Sequence, residues 1–216
     1  MANHNNKVVI VGAVGVGKSC FLNTFTKDEG TTEEFLATVR PTVCTAVSPD
    51  VVKRTVDVDG TELPLEIWDT SGEERFCNPL VSTFYRKADA AIVMYDVTRP
   101  SSFREVYFWA DQARTMSGNE NLMLSLVGNK VDQMQSRKVT PGEGKVVANK
   151  LGIDFYEASS RDKLSVNHVF LSIARKYAAA KRAGVFHAME TETEAEQALK
   201  LSTSKSRKVR PRKKCC

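Results

Sequence analysis

One stretch near the N-terminus has the residue types and spacing of a phosphate-binding loop. It follows the apolar run Val8–Val11 and reads Gly12-Ala13-Val14-Gly15-Val16-Gly17-Lys18-Ser19. Glycines allow the backbone to turn its N–H groups toward phosphate oxygens, Lys18 would reach the terminal phosphates and the Ser19 hydroxyl would ligate Mg²⁺. A helix that starts at about Lys18 and continues through Cys20 would add the positive end of its dipole. The stretch therefore predicts a nucleoside triphosphate site.

A second stretch could choose the base. Gly128-Asn129-Lys130-Val131-Asp132 follows the apolar run Leu122–Val127, so it falls at the C-terminal end of a strand, where open α/β sheets bind ligands. A carboxylate there, Asp132, can accept from both N1–H and the exocyclic amino group of guanine, neither of which adenine offers. This arrangement favours a guanine nucleotide.

Two further residues lie near a strand end. Asp69 follows the strand Leu65–Trp68 and is placed to hold Mg²⁺ through water, and Gly72 leaves a backbone N–H near a γ-phosphate. Together with the loop, they predict a magnesium-dependent nucleotide site.

The elements that must position these residues are predicted by alternating short apolar runs and helix-like stretches. The runs are Val8–Val11, Ala90–Tyr95, Leu122–Val127 and Ile153–Tyr156. Such alternation indicates an α/β domain with a mostly parallel sheet. Asp59-Gly60 between Val51–Val58 and Leu63–Trp68 predicts a hairpin. We expect a single doubly wound domain whose six-stranded, mostly parallel sheet has one antiparallel hairpin strand and helices on both faces.

Helix starts are marked by two candidate capping boxes. These are Ser102 with Glu105 and Thr140 with Glu143, the second with Pro141 at the first helical position. The last helix carries an apolar stripe that should face the sheet, formed by Val166, Val169, Phe170, Ile173, Ala174 and Tyr177.

Composition limits the class of protein. The chain has 216 residues, no apolar run near the ~18 residues of a membrane span, and five cysteines without a disulfide pattern. Seven basic and no acidic residues lie within 205–214, and subtracting these seven from the net charge of +5 leaves −2 for the rest of the chain. The basic charge therefore belongs to the C-terminal tail.

Taken in order, these motifs resemble those of the Ras superfamily of small GTPases, and most closely those of the Rab family. The resemblance covers roughly residues 7–180. Besides the phosphate loop it is carried by Trp68-Asp69-Thr70-Ser71-Gly72, Asn129-Lys130-Val131-Asp132, Glu157-Ala158-Ser159-Ser160, Phe84-Tyr85-Arg86 and Met94-Tyr95-Asp96-Val97-Thr98. It implies a monomeric switch that converts GTP and water to GDP and phosphate and regulates vesicle-mediated membrane traffic. The GTPase domain would span 7–180, after a flexible N-terminus of residues 1–6 and before a variable basic tail of residues 181–216.

The resemblance also implies roles for individual residues. Lys130 would pack against the base, and Ser159, Ser160 and Arg161 would line its other side. Thr42 would supply the second hydroxyl to Mg²⁺, and Phe35, seven residues earlier, would stack on guanine. Lys18 and Gly72 would contact the reacting phosphate.

Two positions depart from the family pattern at the place where hydrolysis occurs. Val14 stands where a small residue is usual and would crowd both the catalytic water and an activating protein's arginine. Glu73 stands where the family has the glutamine that orients the attacking water. Two alternatives remain at this point: a switch that hydrolyses GTP slowly, or a GTP-binding membrane scaffold with little or no hydrolysis.

The C-terminal Cys215-Cys216 resembles the double geranylgeranylation signal of Rab proteins. It implies lipid anchoring on the cytosolic face of an endomembrane, helped by the basic tail. Expected partners are an escort protein, a prenyltransferase, a GDP-dissociation inhibitor, an exchange factor, an activating protein and effectors. A basic tail alone could instead bind nucleic acid, but nothing in the domain supports that alternative, and no nucleic-acid partner is expected.

Overall fold

A computed structural model describes residues 6–27, 50–70 and 84–184 of the chain. The chain divides into two units, residues 1–178 and residues 179–216. The described part of the second unit contains the last residues of a helix, where Ala183 N donates to Ala179 O at 3.0 Å and Gly184 N donates to Lys181 O at 3.1 Å.

Six strands form one sheet in the order β2-β3-β1-β4-β5-β6. Their bounds are β1 Lys7–Val11, β2 Asp50–Val58, β3 Thr61–Asp69, β4 Ala90–Asp96, β5 Met123–Asn129 and β6 Asp154–Glu157. Only the β2–β3 pair within this sheet is antiparallel; its two strands are joined at Asp59 and Gly60, as the hairpin signal predicted. The predicted α/β fold class and its mixed sheet are confirmed.

Five α-helices of the described residues surround the sheet. They are α1 Lys18–Thr26, α2 Pro100–Arg104, α3 Val106–Ser117, α4 Pro141–Leu151 and α5 Lys163–Arg182, with a 3₁₀ turn at Met134–Ser136. None of the helices that the structure describes is long and apolar enough to cross a membrane.

The core lies on both faces of the central strands. All seven residues of β4 are buried, which explains why that run reads as nearly continuous apolar sequence. On one face the rings of Phe25 in α1 and Phe170 in α5 stack with centroids 3.9 Å apart. The predicted apolar stripe of α5 is buried along its whole length, from Val166 to Tyr177.

One predicted capping box is correct and the other is wrong. Thr140 accepts a hydrogen bond from Glu143 N at 3.3 Å, and the Glu143 carboxylate accepts from Thr140 N at 2.8 Å. Ser102 does not cap a helix, because Pro100 already takes the first helical position and Ser102 falls inside the first turn. Its hydroxyl instead donates to Arg99 O at 2.7 Å and accepts from Asp96 N at 3.1 Å.

Candidate functional site

The phosphate loop connects β1 to α1, and two of its glycines are required by close approach. Gly12 has φ 146°, and a Cβ there would lie 2.2 Å from the carbonyl oxygen of Met94 in β4. Gly17 has φ 101°, and a Cβ there would lie 2.5 Å from Nδ2 of Asn129. Any larger residue would force the loop away from β4 and β5, so the glycine pattern reflects packing as well as turning.

Side chains from three parts of the chain donate hydrogen bonds to the carbonyl groups of the loop. The hydrogen bonds run from Lys18 Nζ to Gly12 O (2.8 Å) and Ala13 O (3.3 Å), from Arg99 Nη2 to Val14 O (2.5 Å), from Lys130 Nζ to Gly15 O (2.9 Å) and from Asn129 Nδ2 to Val16 O (2.8 Å). In a trans peptide the N–H points opposite to the C=O. The N–H groups of Gly15 and Gly17, which follow the carbonyls bonded by Arg99 and Asn129, therefore point away from those side chains, and an anion on the concave side of the loop can accept from them.

The start of α1 adds to this concave side. Its N-cap is Gly17, which has no side chain to cap the first turn of the helix, and a phosphate group can take that role. Lys18 is 5% exposed, whereas Ser19 is exposed at the same end of the helix. A buried ammonium beside an exposed hydroxyl fits a site for a polyphosphate with a metal ion.

Asp69 lies beside the start of this loop. In the ladder between β1 and β3 it is opposite Ile10, two residues before Gly12. The next residue, Thr70, donates its hydroxyl hydrogen bond to Ile10 O at 2.7 Å. The carboxylate is therefore anchored at the strand end that carries the loop, and a hard-oxygen ligand there suits Mg²⁺.

Asn129 joins the candidate base site to the phosphate loop. Its side chain is fully buried, donates to Val16 O at 2.8 Å and accepts from Ser160 N at 3.0 Å. Thr24 of α1 donates its hydroxyl hydrogen bond to the carbonyl oxygen of the same Ser160, at 2.5 Å. The side-chain amide of Asn129 thus connects β5 to the phosphate loop and to the segment after β6.

Lys130 stands in the left-handed region, with φ 68°, so its side chain leaves the strand direction of β5. Its ammonium lies 2.7 Å from Oδ2 of Asp96, the last residue of β4. Burial alone would raise the pKa of Asp96, but hydrogen bonds from Lys130 and Thr98 outweigh it and lower that pKa. Asp96 is therefore a carboxylate that holds the lysine in place.

Asp132 is the carboxylate that could read the base. Its Oδ1 accepts from the Ser159 hydroxyl at 2.6 Å, and Oδ2 lies 3.7 Å from Nη1 of Arg161. Arg161 N donates to the Ser159 hydroxyl at 3.1 Å, which fixes the turn. A carboxylate has about four lone-pair positions, so these contacts leave capacity to accept two hydrogen bonds from guanine.

The structure brings together most of the predicted site residues. They are Gly12, Ala13, Val14, Gly15, Val16, Gly17, Lys18, Ser19, Cys20, Asp69, Asn129, Lys130, Asp132, Ser159, Ser160 and Arg161. Cys20 is a half-buried thiol within α1. The predicted residues Phe35, Thr42, Gly72, Glu73, Cys215 and Cys216 lie outside the described residues.

Three contributors to this site were not predicted from the sequence. Asp96 is the last residue of β4, Arg99 follows it three residues later, and Thr24 lies in the last turn of α1. A carboxylate that ends an otherwise apolar buried strand is a signal that could have found Asp96. Arg99 and Thr24 carry no such signal, because their partners are distant in the sequence.

The fold and this loop geometry define an α/β nucleotide-binding domain of the phosphate-loop class. The family model described as "Ras family" matches residues 7–179. The chain is 34% identical to the Ras-related protein RABE1d of Arabidopsis thaliana over 97% of this chain and 91% of that protein. It is 35% identical to the GTP-binding protein ypt2 of Schizosaccharomyces pombe over 79% of this chain and 80% of that protein, and 36% identical to the Ras-related protein SEC4 of Saccharomyces cerevisiae over 78% and 73%.

The chain therefore belongs to the Ras family and, within it, to the Rab small GTPases. It is a GTPase switch of vesicle traffic, as the resemblance implied, and it binds guanine nucleotides.

Proposed function

We propose that this Rab GTPase hydrolyses GTP slowly and consequently spends most of its cycle in the GTP-bound state. The observation that carries the proposal is the placement of Val14. Val14 is 51% exposed in the phosphate loop, and its carbonyl accepts a hydrogen bond from Arg99. A branched side chain fixed there would obstruct a water molecule or an activating arginine that approaches the γ-phosphate.

The proposal gives each described site residue a role that its position supports. Lys18 would bind the β- and γ-phosphates, Asn129 would hold the loop in shape, and Asp132 would accept from guanine. Ser159, Ser160 and Arg161 would enclose the base, with Lys130 over its face. Cys20 would extend the run of backbone N–H groups along the α-phosphate.

Ser19 and Asp69, with Thr42 from outside the described residues, would hold Mg²⁺, which when bound offsets charge on the phosphate oxygens. Gly72 and Thr42 would sense the γ-phosphate, and Glu73 would face the attacking water. Phe35 would stack on the base. A carboxylate at position 73 accepts a proton from water but donates nothing to the phosphate, so we expect it to be a weaker positioning group than glutamine.

Single-turnover hydrolysis of GTP loaded with Mg²⁺ tests the proposal. The wild-type chain is compared with Val14→Gly, Glu73→Gln and the double variant, with nucleotide retention measured in parallel. We expect the double variant to release phosphate at least about 10-fold faster than the wild type, because both obstacles have been removed. Equal rates in wild type and double variant would show that the natural residues do not slow the reaction.

The same experiment separates the slow switch from a scaffold that binds GTP without hydrolysis. Slow but complete conversion of bound GTP to GDP in the wild type supports the switch. Retention of intact GTP over the lifetime of the complex would favour the scaffold.

Membrane attachment through Cys215 and Cys216 is the second part of the proposal. Stable anchoring requires two lipid signals, since each buried methylene contributes about 0.8 kcal/mol and a single chain binds only marginally. We expect the geranylgeranylated full chain to float with vesicles of phosphatidylcholine and phosphatidylserine, and the Cys215→Ser variant to float much less. Equal flotation of both chains would leave the second lipid without a role.

A further inference from the structure

Arg99 reaches the phosphate loop from a different part of the chain. It follows β4 and stands at the N-cap of α2, and its Nη2 donates to Val14 O at 2.5 Å although the two residues are 85 positions apart. Its Nη1 lies 3.5 Å from the position that a Cβ on Gly15 would occupy. The guanidinium therefore covers the Val14–Gly15 peptide.

The backbone of Arg99 is held tightly, so this reach is not that of a loose surface side chain. Arg99 N donates to Asp96 O at 3.0 Å, and Arg99 O accepts from the hydroxyl of Ser102 at 2.7 Å. The next residue, Pro100, fixes the start of α2. These contacts set the direction in which the arginine leaves β4.

The position of the guanidinium leaves one of its polar atoms without a hydrogen-bond partner among the residues that the structure describes. This atom is the buried Nε. Burying such an N–H is unfavourable, so the position has to be maintained by the bond to Val14 and by the packing against Gly15. The contact with the Val14–Gly15 peptide therefore determines where the guanidinium lies.

The neighbouring carbonyl groups show what this contact does. Lys130 donates to Gly15 O, and Lys18 donates to Gly12 O and Ala13 O. Without Arg99, the Val14–Gly15 peptide between these bonded carbonyls would be able to rotate. With that carbonyl bonded to Arg99, the N–H of Gly15 points away from the guanidinium. The positive charge of Arg99 is therefore separated from the candidate phosphate site by the Val14–Gly15 peptide alone.

We propose that Arg99 is a positioning residue for the phosphate loop, which orients the Gly15 N–H and adds positive charge where a nucleoside diphosphate or triphosphate binds. The proposal rests on the guanine-nucleotide site described above. It assigns Arg99 to discrimination between nucleotides by phosphate number: GDP and GTP need the oriented N–H, whereas GMP has no second phosphate to accept from it.

The test measures equilibrium binding of GDP, GTP and GMP to the full chain by competition against a fluorescent GDP. The variants are Arg99→Ala, Arg99→Lys, which keeps the charge, and Arg99→Gln, which keeps a donor without charge. Arg104→Ala removes an exposed arginine of the same helix and is the matched control. Thermal midpoints without nucleotide report any loss of folding.

We expect Arg99→Ala to weaken GDP and GTP binding about 10-fold and GMP binding less than 2-fold, with midpoints and the Arg104→Ala variant near wild type. Arg99→Lys should restore more affinity than Arg99→Gln if the charge dominates, and less if the hydrogen bond dominates. Either order supports a positioning role.

Equal weakening of GMP and GDP, or unchanged GDP binding in a folded Arg99→Ala variant, would overturn the inference while leaving the GTPase site intact. Absence of guanine-nucleotide binding by the wild-type chain would instead refute the site itself, so the two failures are distinguishable.

Discussion

The ammonium of Lys130 lies 2.7 Å from Oδ2 of Asp96 and 2.9 Å from the carbonyl oxygen of Gly15. In the ladder between β4 and β5, Asp96 pairs with Asn129, the residue before the lysine. Parallel register therefore places the carboxylate beside the backbone from which Lys130 departs. One ion pair thus connects two central strands to the phosphate loop.

Removing this carboxylate should loosen the nucleotide. Asp96→Asn leaves Lys130 without its charged partner, and Asp96 is only 5% exposed at its side chain, so little water can substitute. We expect GDP release to become about 10-fold faster and unfolding free energy to fall by about 1–3 kcal/mol. Stopped-flow release of fluorescent GDP and urea denaturation measure the two effects. The exposed Asp111→Asn is the control, and equal release from both variants would contradict this role.

Asn129 should matter for folding as well as binding. Asn129→Ala removes the donor to Val16 O and the acceptor for Ser160 N from a fully buried position. We expect a loss of about 2–4 kcal/mol in unfolding free energy without nucleotide, because each group leaves a buried partner unsatisfied. Asn129→Asp offers only acceptors when it is ionised, so it should recover part of the stability only at acidic pH, where the neutral carboxyl has an O–H donor as well as an acceptor. A change below about 0.5 kcal/mol in Asn129→Ala, within the range of surface substitutions, would show that water replaces the amide.

Lys7 provides a pH dependence. Its ammonium lies 3.7 Å from the ring centroid of Trp68, and burial lowers its pKa from 10.5 to about 8 despite the attraction of Glu66 and Asp89. Between these two values the unfolded chain holds a proton that the folded chain does not, so this group makes stability rise with pH in that window.

We therefore expect the stability of the wild type relative to Lys7→Met to increase from pH 7.5 to pH 10. Urea denaturation of both chains at several pH values measures this difference. Subtracting the variant from the wild type cancels the contribution of titrating groups that both chains share. The exposed Lys145→Met serves as the control. A flat difference for Lys7→Met would mean that the ammonium stays protonated in the folded state.

The capping box of α4 gives a second pH dependence, of the same sign but in the acidic range. Hydrogen bonds from the backbone and hydroxyl of Thr140 lower the pKa of Glu143, so its stabilising effect is present at neutral pH and is lost as pH falls through that lowered value. We expect Thr140→Ala to lower the thermal midpoint by roughly 2–4 °C at pH 7 and by less at pH 3. Scanning calorimetry of both chains across this range is the measurement, and a constant difference would point to a pH-independent cap.

The motifs of the loop and of residues 129–132 could be predicted because they are local: their spacing follows from how a strand, a turn and a helix must meet a phosphate or a base. The strands were predicted within one or two residues because central strands are apolar on both faces. The prediction for Ser102 was wrong because serine is typical both of an N-cap and of a position in the first turn where its hydroxyl bonds the backbone. Pro100, which takes the first helical position, distinguishes the two.

Other relationships could not be predicted from the sequence. The bond between Arg99 and Val14 depends on where α2 begins relative to β1, and that is a property of the assembled sheet. The same holds for Thr24 and Ser160, which are separated by 136 positions. Tertiary contacts of this kind leave no periodic pattern in either segment.

The hydrogen bonds to the carbonyl groups of the phosphate loop also affect the thermodynamics of ligand binding. Fixing one backbone residue costs about 1–2 kcal/mol of conformational free energy. In this domain that cost is met during folding, because side chains of α1, β5 and the β4–α2 connection already restrain the loop. The nucleotide then has little backbone left to order. Part of its affinity is therefore determined when the chain folds. In calorimetry of nucleotide binding, we expect only a small unfavourable entropy from ordering of this loop.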